Sequence, residues 1–322
     1  MQKITKNGIR FIKDKRTPLT PWKSRFWGTS SMVPTKERNV TGIYLKYKAE
    51  GILLDCGEGT QRQMNIAGIK RTSVTKILVS HWHGDHVSGI IGLLQTVGNE
   101  TEPPKIMIYG PRETKKRVDH MMQTCIFDNR VDLEVFDLEP KCGEVLRFFE
   151  DEDYALECAR LNHGIPCIGF SFVEKKRLNI DVAKQKNLGL KDGPWLRKIK
   201  AGKEADYKGK TIKPEDITYA VPQKKLTYIA DTEPCEEAGL LAQGADIMIS
   251  ESTFASNLQD KADLRKHMSA KDAALTASQA EAGKLVLTHF SQRYKTVDEL
   301  EEEAKIHFPN TVCAFDFMKL KL

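Results

Sequence analysis

The chain has 322 residues, 40% of them hydrophobic and 8% aromatic, and a formal net charge of +6. Length and composition point to a packed globular core in one large domain or two small ones, with no repeat or low-complexity tract. No apolar stretch approaches the ~20 residues a membrane-spanning helix needs, and seven Cys without a C-x-x-C pair exclude a disulfide framework or a thiolate zinc site, as fits a reducing cytoplasm.

Residues 1–24 read as a basic extension, with Lys3, Lys6, Arg10, Lys13, Lys15 and Arg16 but no apolar signal core. The domain proper is expected over 25–322. Short apolar runs predict strands near Gly42–Tyr47, Gly51–Asp55, Lys76–Ser80, Lys105–Tyr109, Leu133–Asp137, Ala155–Leu161, Gly169–Val173, Leu226–Ala230, Asp246–Ser250 and Leu285–Thr288. Helical periodicity falls near Glu58–Ala67, Val87–Gln95, Glu113–Cys125, Glu233–Ala242, Ala270–Ala282 and Val297–His307. Two strand-rich halves with intervening helices suit an α/β (α+β) chain folded as an αββα sandwich. Loops at strand ends would then gather along one edge.

The strand at Lys76–Ser80 runs into His81-Trp-His-Gly-Asp-His86. A lone His is most often a packed or surface residue, but three His and an Asp in six positions form a ready metal loop. Imidazole suits zinc and other first-row ions, and carboxylate adds a harder ligand. Further candidates sit where other strands are expected to end: His163, His289 and Asp231. His267 lies just before a predicted helix. Position alone would make Asp231 a helix cap. His120 and His307 read as ordinary helix residues.

These motifs together resemble the metallo-β-lactamase superfamily and, within it, the ribonuclease Z family, over about Phe26 to Phe315. Phe26-Trp-Gly-Thr-Ser-Ser31, Pro34-Thr-Lys-Glu-Arg-Asn39, Leu54-Asp-Cys-Gly-Glu-Gly-Thr-Gln61 and Leu287-Thr-His-Phe-Ser-Gln-Arg-Tyr294 carry the narrower likeness. The resemblance implies two Zn²⁺ per subunit, with Mn²⁺ an alternative for such N/O sites. His81, His83 and His163 would hold one ion; Asp85, His86 and His289 would hold the other; Asp231 would bridge them. Asp55 would hydrogen-bond the metal loop from behind. Ile249-Ser-Glu-Ser-Thr-Phe254 matches a catalytic His-Glu-Ala-Thr stretch with Ser250 and Ser252 in place of the His and the Ala. Glu251 would keep His267 cationic as proton donor to the leaving 3′ oxygen, and Asp85 would orient the attacking water. The implied reaction removes the 3′ trailer from precursor tRNA, leaving a 3′-hydroxyl on the tRNA and a 5′-phosphate on the trailer.

Between His163 and Asp231 the composition changes. Glu174–Lys225 carries fifteen Lys or Arg against seven acids, a net of +8 in a chain of +6. A charge run is usually a solvated face. Here Asp192-Gly-Pro-Trp-Leu-Arg-Lys-Ile-Lys-Ala-Gly202 resembles the Gly-Pro motif of the ribonuclease Z flexible arm, which implies an RNA-binding insertion at about 181–222. Gly193, Pro194, Arg197, Lys198, Lys200 and Lys203 would carry it, with Lys36 and Arg38 of the 34–39 loop nearer the cleavage site. The family is usually a homodimer in which one subunit's arm serves the other's site. Two competing readings are another hydrolase of the superfamily acting on a small ester or phosphodiester, and an RNA-binding subunit with an inert metal site.

Overall fold

Two seven-stranded mixed sheets pack face to face in the computed structural model, which describes residues 22–128 and 130–321. The basic extension expected at 1–24 lies almost wholly outside them; the first strand already begins at Trp22. Sheet one contains β1 (Trp22–Gly28), β2 (Gly42–Tyr47), β3 (Glu50–Leu54), β4 (Val74–Leu78), β5 (Ile106–Pro111) and β6 (Leu133–Leu138). Sheet two begins with β7 (Leu146–Glu150), β8 (Tyr154–Leu161) and β9 (Cys167–Glu174). After an inserted unit it continues with β14 (Lys224–Ile229), β15 (Ile247–Glu251), β16 (Leu285–Thr288) and β17 (Thr311–Cys313). A last short strand, β18 (Lys319–Leu320), returns to pair with β1.

Strands β3 to β6 run parallel, as do β14 to β17. Parallel neighbours need a crossover, usually a helix. In sheet one these are α1 (Thr60–Ile66), α2 (Gly84–Val87) with α3 (Ile90–Gly98), and α4 (Thr114–Met122). In sheet two they are α8 (Glu236–Ala242), α9 (Gln259–Arg265) with α10 (Ala270–Gln279), and α11 (Asp298–His307). The helix expected from Val87 to Gln95 is broken at Gly89. Gly89 N donates to Cys56 O at 2.9 Å, and a Cβ there would lie 2.2 Å from Gly57 O, so glycine alone lets this junction sit on the loop after β3.

Side-chain alternation divides the core. Ile43, Leu45, Tyr47, Ile52 and Leu54 face Leu156, Phe170, Phe172, Leu226 and Tyr228 of sheet two in one continuous cluster. The opposite phase, Tyr44, Leu53 and Ile77, packs under Leu93, Leu94 and Val97 of α3. A strand buried on both faces reads as a continuous apolar run, which is why the central strands stand out in the sequence. On sheet two, α10 lays Ala270, Ala273, Ala274 and Ala277 down among the core residues, and its Ser269–Asp272 capping box fixes where it starts.

One consequence places the site. Asp55 follows β3, the His81–His86 loop follows β4, His163 follows β8, Asp231 follows β14, Glu251 ends β15 and His289 follows β16. All six segments therefore lie beyond the carboxyl ends of strands, where open α/β sheets bind ligands.

The inserted unit runs from Arg177 to Val221, inside the basic stretch Glu174–Lys225 and starting slightly earlier than the expected 181–222. It has β10 (Arg177–Ile180) paired with β13 (Thr218–Val221), a hairpin of β11 (Ala205–Tyr207) and β12 (Lys210–Ile212), and helices α5 (Val182–Asn187), α6 (Trp195–Lys200) and α7 (Pro214–Ile217). Leu190, Ile199, Ala205, Ile212 and Ile217 give it a small core of its own. Gly193 lies against the Trp195 ring, where a Cβ would come within 2.9 Å. The unit leaves and rejoins sheet two where Glu174 pairs with Lys224. That is the far end of β14 from Asp231, about 20 Å away at strand rise.

Candidate metal centre

The sequence-predicted ligands converge. Donor atoms of His81, His83, His163 and Asp231 lie within 4.8 Å of one another, and so do those of Asp85, His86 and His289. His81 Nε2 is 3.0 Å from His83 Nδ1 and 3.7 Å from Asp231 Oδ2; His163 Nε2 is 3.4 Å from His83 Nδ1. In the second group His86 Nε2 is 3.3 Å from His289 Nε2 and 3.4 Å from Asp85 Oδ2. Tetrahedral ligands at zinc–nitrogen distances of ~2.0–2.1 Å sit about 3.3 Å apart, so these separations fit. Asp231 touches both groups, with Oδ2 also 3.5 Å from His86 Nε2. Its buried Oδ1 lies 3.3 Å from His289 Nδ1 but accepts no hydrogen bond from a described residue, a need that a cation would satisfy.

Electrostatics agree with that fit. Burial among other imidazoles holds His81 well below the ordinary histidine range, leaving it neutral with a lone pair to donate. Burial would raise Asp85 and Asp231, but the facing histidines outweigh it and hold both carboxyls far below their usual range. The two carboxylates and the His81 imidazole are thus in the form a divalent ion requires. At His86 burial is outweighed by the Asp231 and Asp55 charges, which hold the ring well above its ordinary range, so an ion bound there would displace a proton. His289 and Asp55 both adopt left-handed backbone, with φ of 61° and 57°. Such conformations cost energy and persist where surrounding contacts enforce them.

Asp55 sits behind the cluster with both oxygens occupied. Oδ1 accepts from Ser80 N at 2.7 Å; Oδ2 accepts from Ser80 Oγ at 2.7 Å, from Tyr228 OH at 2.8 Å and faces His86 Nδ1 at 2.8 Å. The carboxylate fixes the ring so that Nε2 points at the cluster. Tyr228, fully buried on β14, reaches it from the opposite sheet. Sequence reading missed Tyr228, since it lies inside an apolar run and nothing local marks its hydroxyl.

Glu251 and His267 form a second constellation. Glu251 Oε1 lies 2.9 Å from His267 Nδ1 and accepts from Thr232 N at 2.9 Å. Its Oε2 accepts from Thr253 Oγ1 at 2.6 Å. Burial alone would lower the His267 pKa, but the Glu251 charge and hydrogen bond outweigh it and raise it to about 9. Thr253 Oγ1 also lies 3.0 Å from His289 Nδ1, so one hydroxyl links this pair to the metal cluster. Thr253 is a further residue without an individual sequence signal. His267 could itself join Asp231 and His289 as a third ligand group. Ser250, where the family stretch has His, is buried and donates to Glu251 O at 3.0 Å.

A cavity of about 1030 Å³ opens onto His83, Asp85, His163, Asp231 and His267, with exposed Arg265 and Arg293 on its rim. In the nearby 34–39 loop Lys36 is exposed, whereas Arg38 Nη2 donates to Tyr294 O at 2.7 Å and secures the loop to the turn after His289. On the inserted unit Pro194, Arg197, Lys198, Lys200 and Lys203 are exposed and Gly193 is half-buried.

Fold and cluster together define a hydrolase of the metallo-β-lactamase fold. Ribonuclease Z of Methanothermobacter thermautotrophicus is 39% identical over 299 residues, covering 92% of this chain and 95% of that protein. Ribonuclease Z of Crocosphaera subtropica is 36% identical, covering 91% and 96%. The crystal structure of human tRNase Z, short form, superposes with a TM-score of 0.69 at 26% identity over 93% of this chain and 98% of that one. The metallo-β-lactamase fold protein YhfI from Bacillus subtilis, at 18% identity and a TM-score of 0.66, shares the fold. A family model described as "Anti-Pycsar protein Apyc1" matches residues 23–188, which excludes Asp231, Glu251, His267 and His289. The chain belongs to the ribonuclease Z family.

Proposed function

We propose that this protein is a metal-dependent endoribonuclease that removes the 3′ trailer from precursor tRNA. The observation that carries this reading is His267, held by Glu251 at 2.9 Å and lining the same cavity as four of the seven candidate ligands, His83, Asp85, His163 and Asp231. Homology to proteins named ribonuclease Z over nine-tenths of the chain supports it. Two Zn²⁺ ions, or Mn²⁺, fit the donor set: His81, His83 and His163 for one, Asp85, His86 and His289 for the other, Asp231 between them. When bound, such ions neutralise phosphate charge and lower the pKa of water toward ~7.

The chain's own groups supply the rest. Asp85 Oδ2 accepts from Met32 N at 2.8 Å, which fixes the carboxylate that orients the attacking water. Water oxygen bonds to phosphorus and gives up a proton to solvent as the bond from phosphorus to the tRNA 3′ oxygen breaks. His267 gives its proton to that oxygen, and Glu251 stabilises the cationic ring beforehand. Products are a tRNA 3′-hydroxyl and a trailer 5′-phosphate. The inserted unit would bind tRNA through phosphates distant from the cut, since its base lies a strand length from the cluster. In a homodimer one subunit's unit would serve the partner's site. No described helix is long and apolar enough to cross a membrane; trimming of precursor tRNA would be cytoplasmic work.

The test is incubation with a 3′-extended tRNA, mapping of the cut and of the new ends, and metal analysis. Cleavage of a nitrophenyl phosphodiester with the precursor left whole would favour a small-substrate hydrolase instead.

A further inference from the structure

A second groove of about 410 Å³ runs from His163 over the ends of β5, β6 and β8, and His163 is the one residue lining both it and the metal cavity. Its lining includes Arg112 and Arg160, both exposed. Neither side chain makes a hydrogen bond or ion pair with another described residue, although the Arg160 charge also acts on the Glu237 carboxylate; by contrast Lys266 pairs with Glu233 and Arg38 with the 291–294 turn. Glu139 is the one carboxylate in the lining, so the groove is net positive. Ile165 and Pro166 add apolar surface.

We infer that this groove receives the trailer, an extended single-stranded RNA whose phosphates pair with Arg112 and Arg160. The inference rests on the endonuclease reading above. An RNA cut in its interior must leave the scissile phosphate in two directions. The proton donor has to stand beside the 3′ oxygen on the tRNA side, and His267 lines the larger cavity, so the tRNA 3′ end occupies that cavity. The trailer keeps the phosphorus and departs from its other side. The groove beyond His163 provides that second direction. Guanidinium forks hold phosphate bidentately, and phosphate contacts carry no base information. The groove would therefore accept trailers of any sequence.

The test uses the full-length, metal-loaded protein and two precursors, one with a single-nucleotide trailer and one with about eight nucleotides. In the double variant Arg112→Ala/Arg160→Ala, KM for the longer trailer should rise about tenfold and its log–log salt slope should fall by about 1.4, two single-strand phosphates at ~0.7 each. KM and kcat for the single-nucleotide trailer should stay unchanged, which also shows that the variant is folded. A 5′-phosphorylated oligoribonucleotide should inhibit the parent more strongly than the variant, and Arg112→Lys/Arg160→Lys should recover the salt slope, which reports charge, but only part of the KM, since an ammonium cannot hold phosphate bidentately. Equal change for both precursors, or change for neither, overturns the trailer groove while leaving the endonuclease reading intact. A parent that cleaves neither precursor overturns both.

Discussion

Replacing His267 with Ala tests the proton-donor assignment most directly. Its Nδ1 is engaged by Glu251 at 2.9 Å, and the ring lines the metal cavity. If it donates to the leaving 3′ oxygen, removal should cost the ~10²–10⁴-fold of general acid catalysis, or about 3–5.5 kcal/mol of barrier. The assay pairs single-turnover cleavage of precursor tRNA with hydrolysis of a nitrophenyl phosphodiester. A nitrophenolate leaves without protonation, so that rate should change by less than about tenfold. Metal stoichiometry should be unchanged, since His81, His83, His163, Asp85, His86, Asp231 and His289 all remain. Equal losses on both substrates together with lost metal would make His267 a ligand with Asp231 and His289, refuting the acid role.

The other outcomes follow from the same geometry. Asp55→Asn should weaken metal binding about 10–100-fold, read by chelator competition; unchanged affinity would mean the hydrogen bond to His86 is incidental. Deleting about residues 181–222 should abolish precursor cleavage while nitrophenyl phosphodiester hydrolysis persists, because the unit has its own small core and joins sheet two far from the ligands; parallel loss of both would make the segment structural. Asp316 is raised from 3.8 to about 6, chiefly by burial beside Thr29, Asn39 and Gln63. Its protonated form is favoured in the folded state, so its stabilising contribution is complete below about pH 4 and lost as pH rises through about 6. The limit is roughly 3 kcal/mol, and less for a carboxyl partly open to solvent. Relative to the parent, Asp316→Asn should therefore gain in urea midpoint between pH 4 and 7; a constant difference would contradict this.

The legible parts of the chain were those whose signal is local. Central strands buried on both faces read as apolar runs, and the His81–His86 loop concentrates its ligands within six residues. Strands at the margins did not read. Leu146–Glu150 is an edge strand without a fully buried residue, Lys319–Leu320 has two residues, and the hairpin strands of the inserted unit have three each. The helix Gln259–Arg265 buries only Ala262, too little for periodicity to register. Tyr228 and Thr253 escaped for another reason. Their roles depend on groups 173 and 36 residues away, a juxtaposition that only the packed sheets create.

That dependence on packing extends to the site as a whole. Sheet one and its loops supply His81, His83, Asp85 and His86; sheet two and its loops supply His163, Asp231 and His289. Each proposed ion therefore takes ligands from both halves, and Asp231 contacts both ligand groups. Behind them the Tyr228–Asp55–His86 chain crosses the same boundary. Ions that bind only when the halves are docked stabilise the docked state by mass action. Stripping them should lower the unfolding midpoint as well as stop cleavage, and a Tyr228→Phe protein should lose part of that metal-dependent gain while its metal-free stability changes by only about 1–2 kcal/mol. If chelation leaves the midpoint unmoved, the cluster does not join the two halves, and the ligand assignment across them fails.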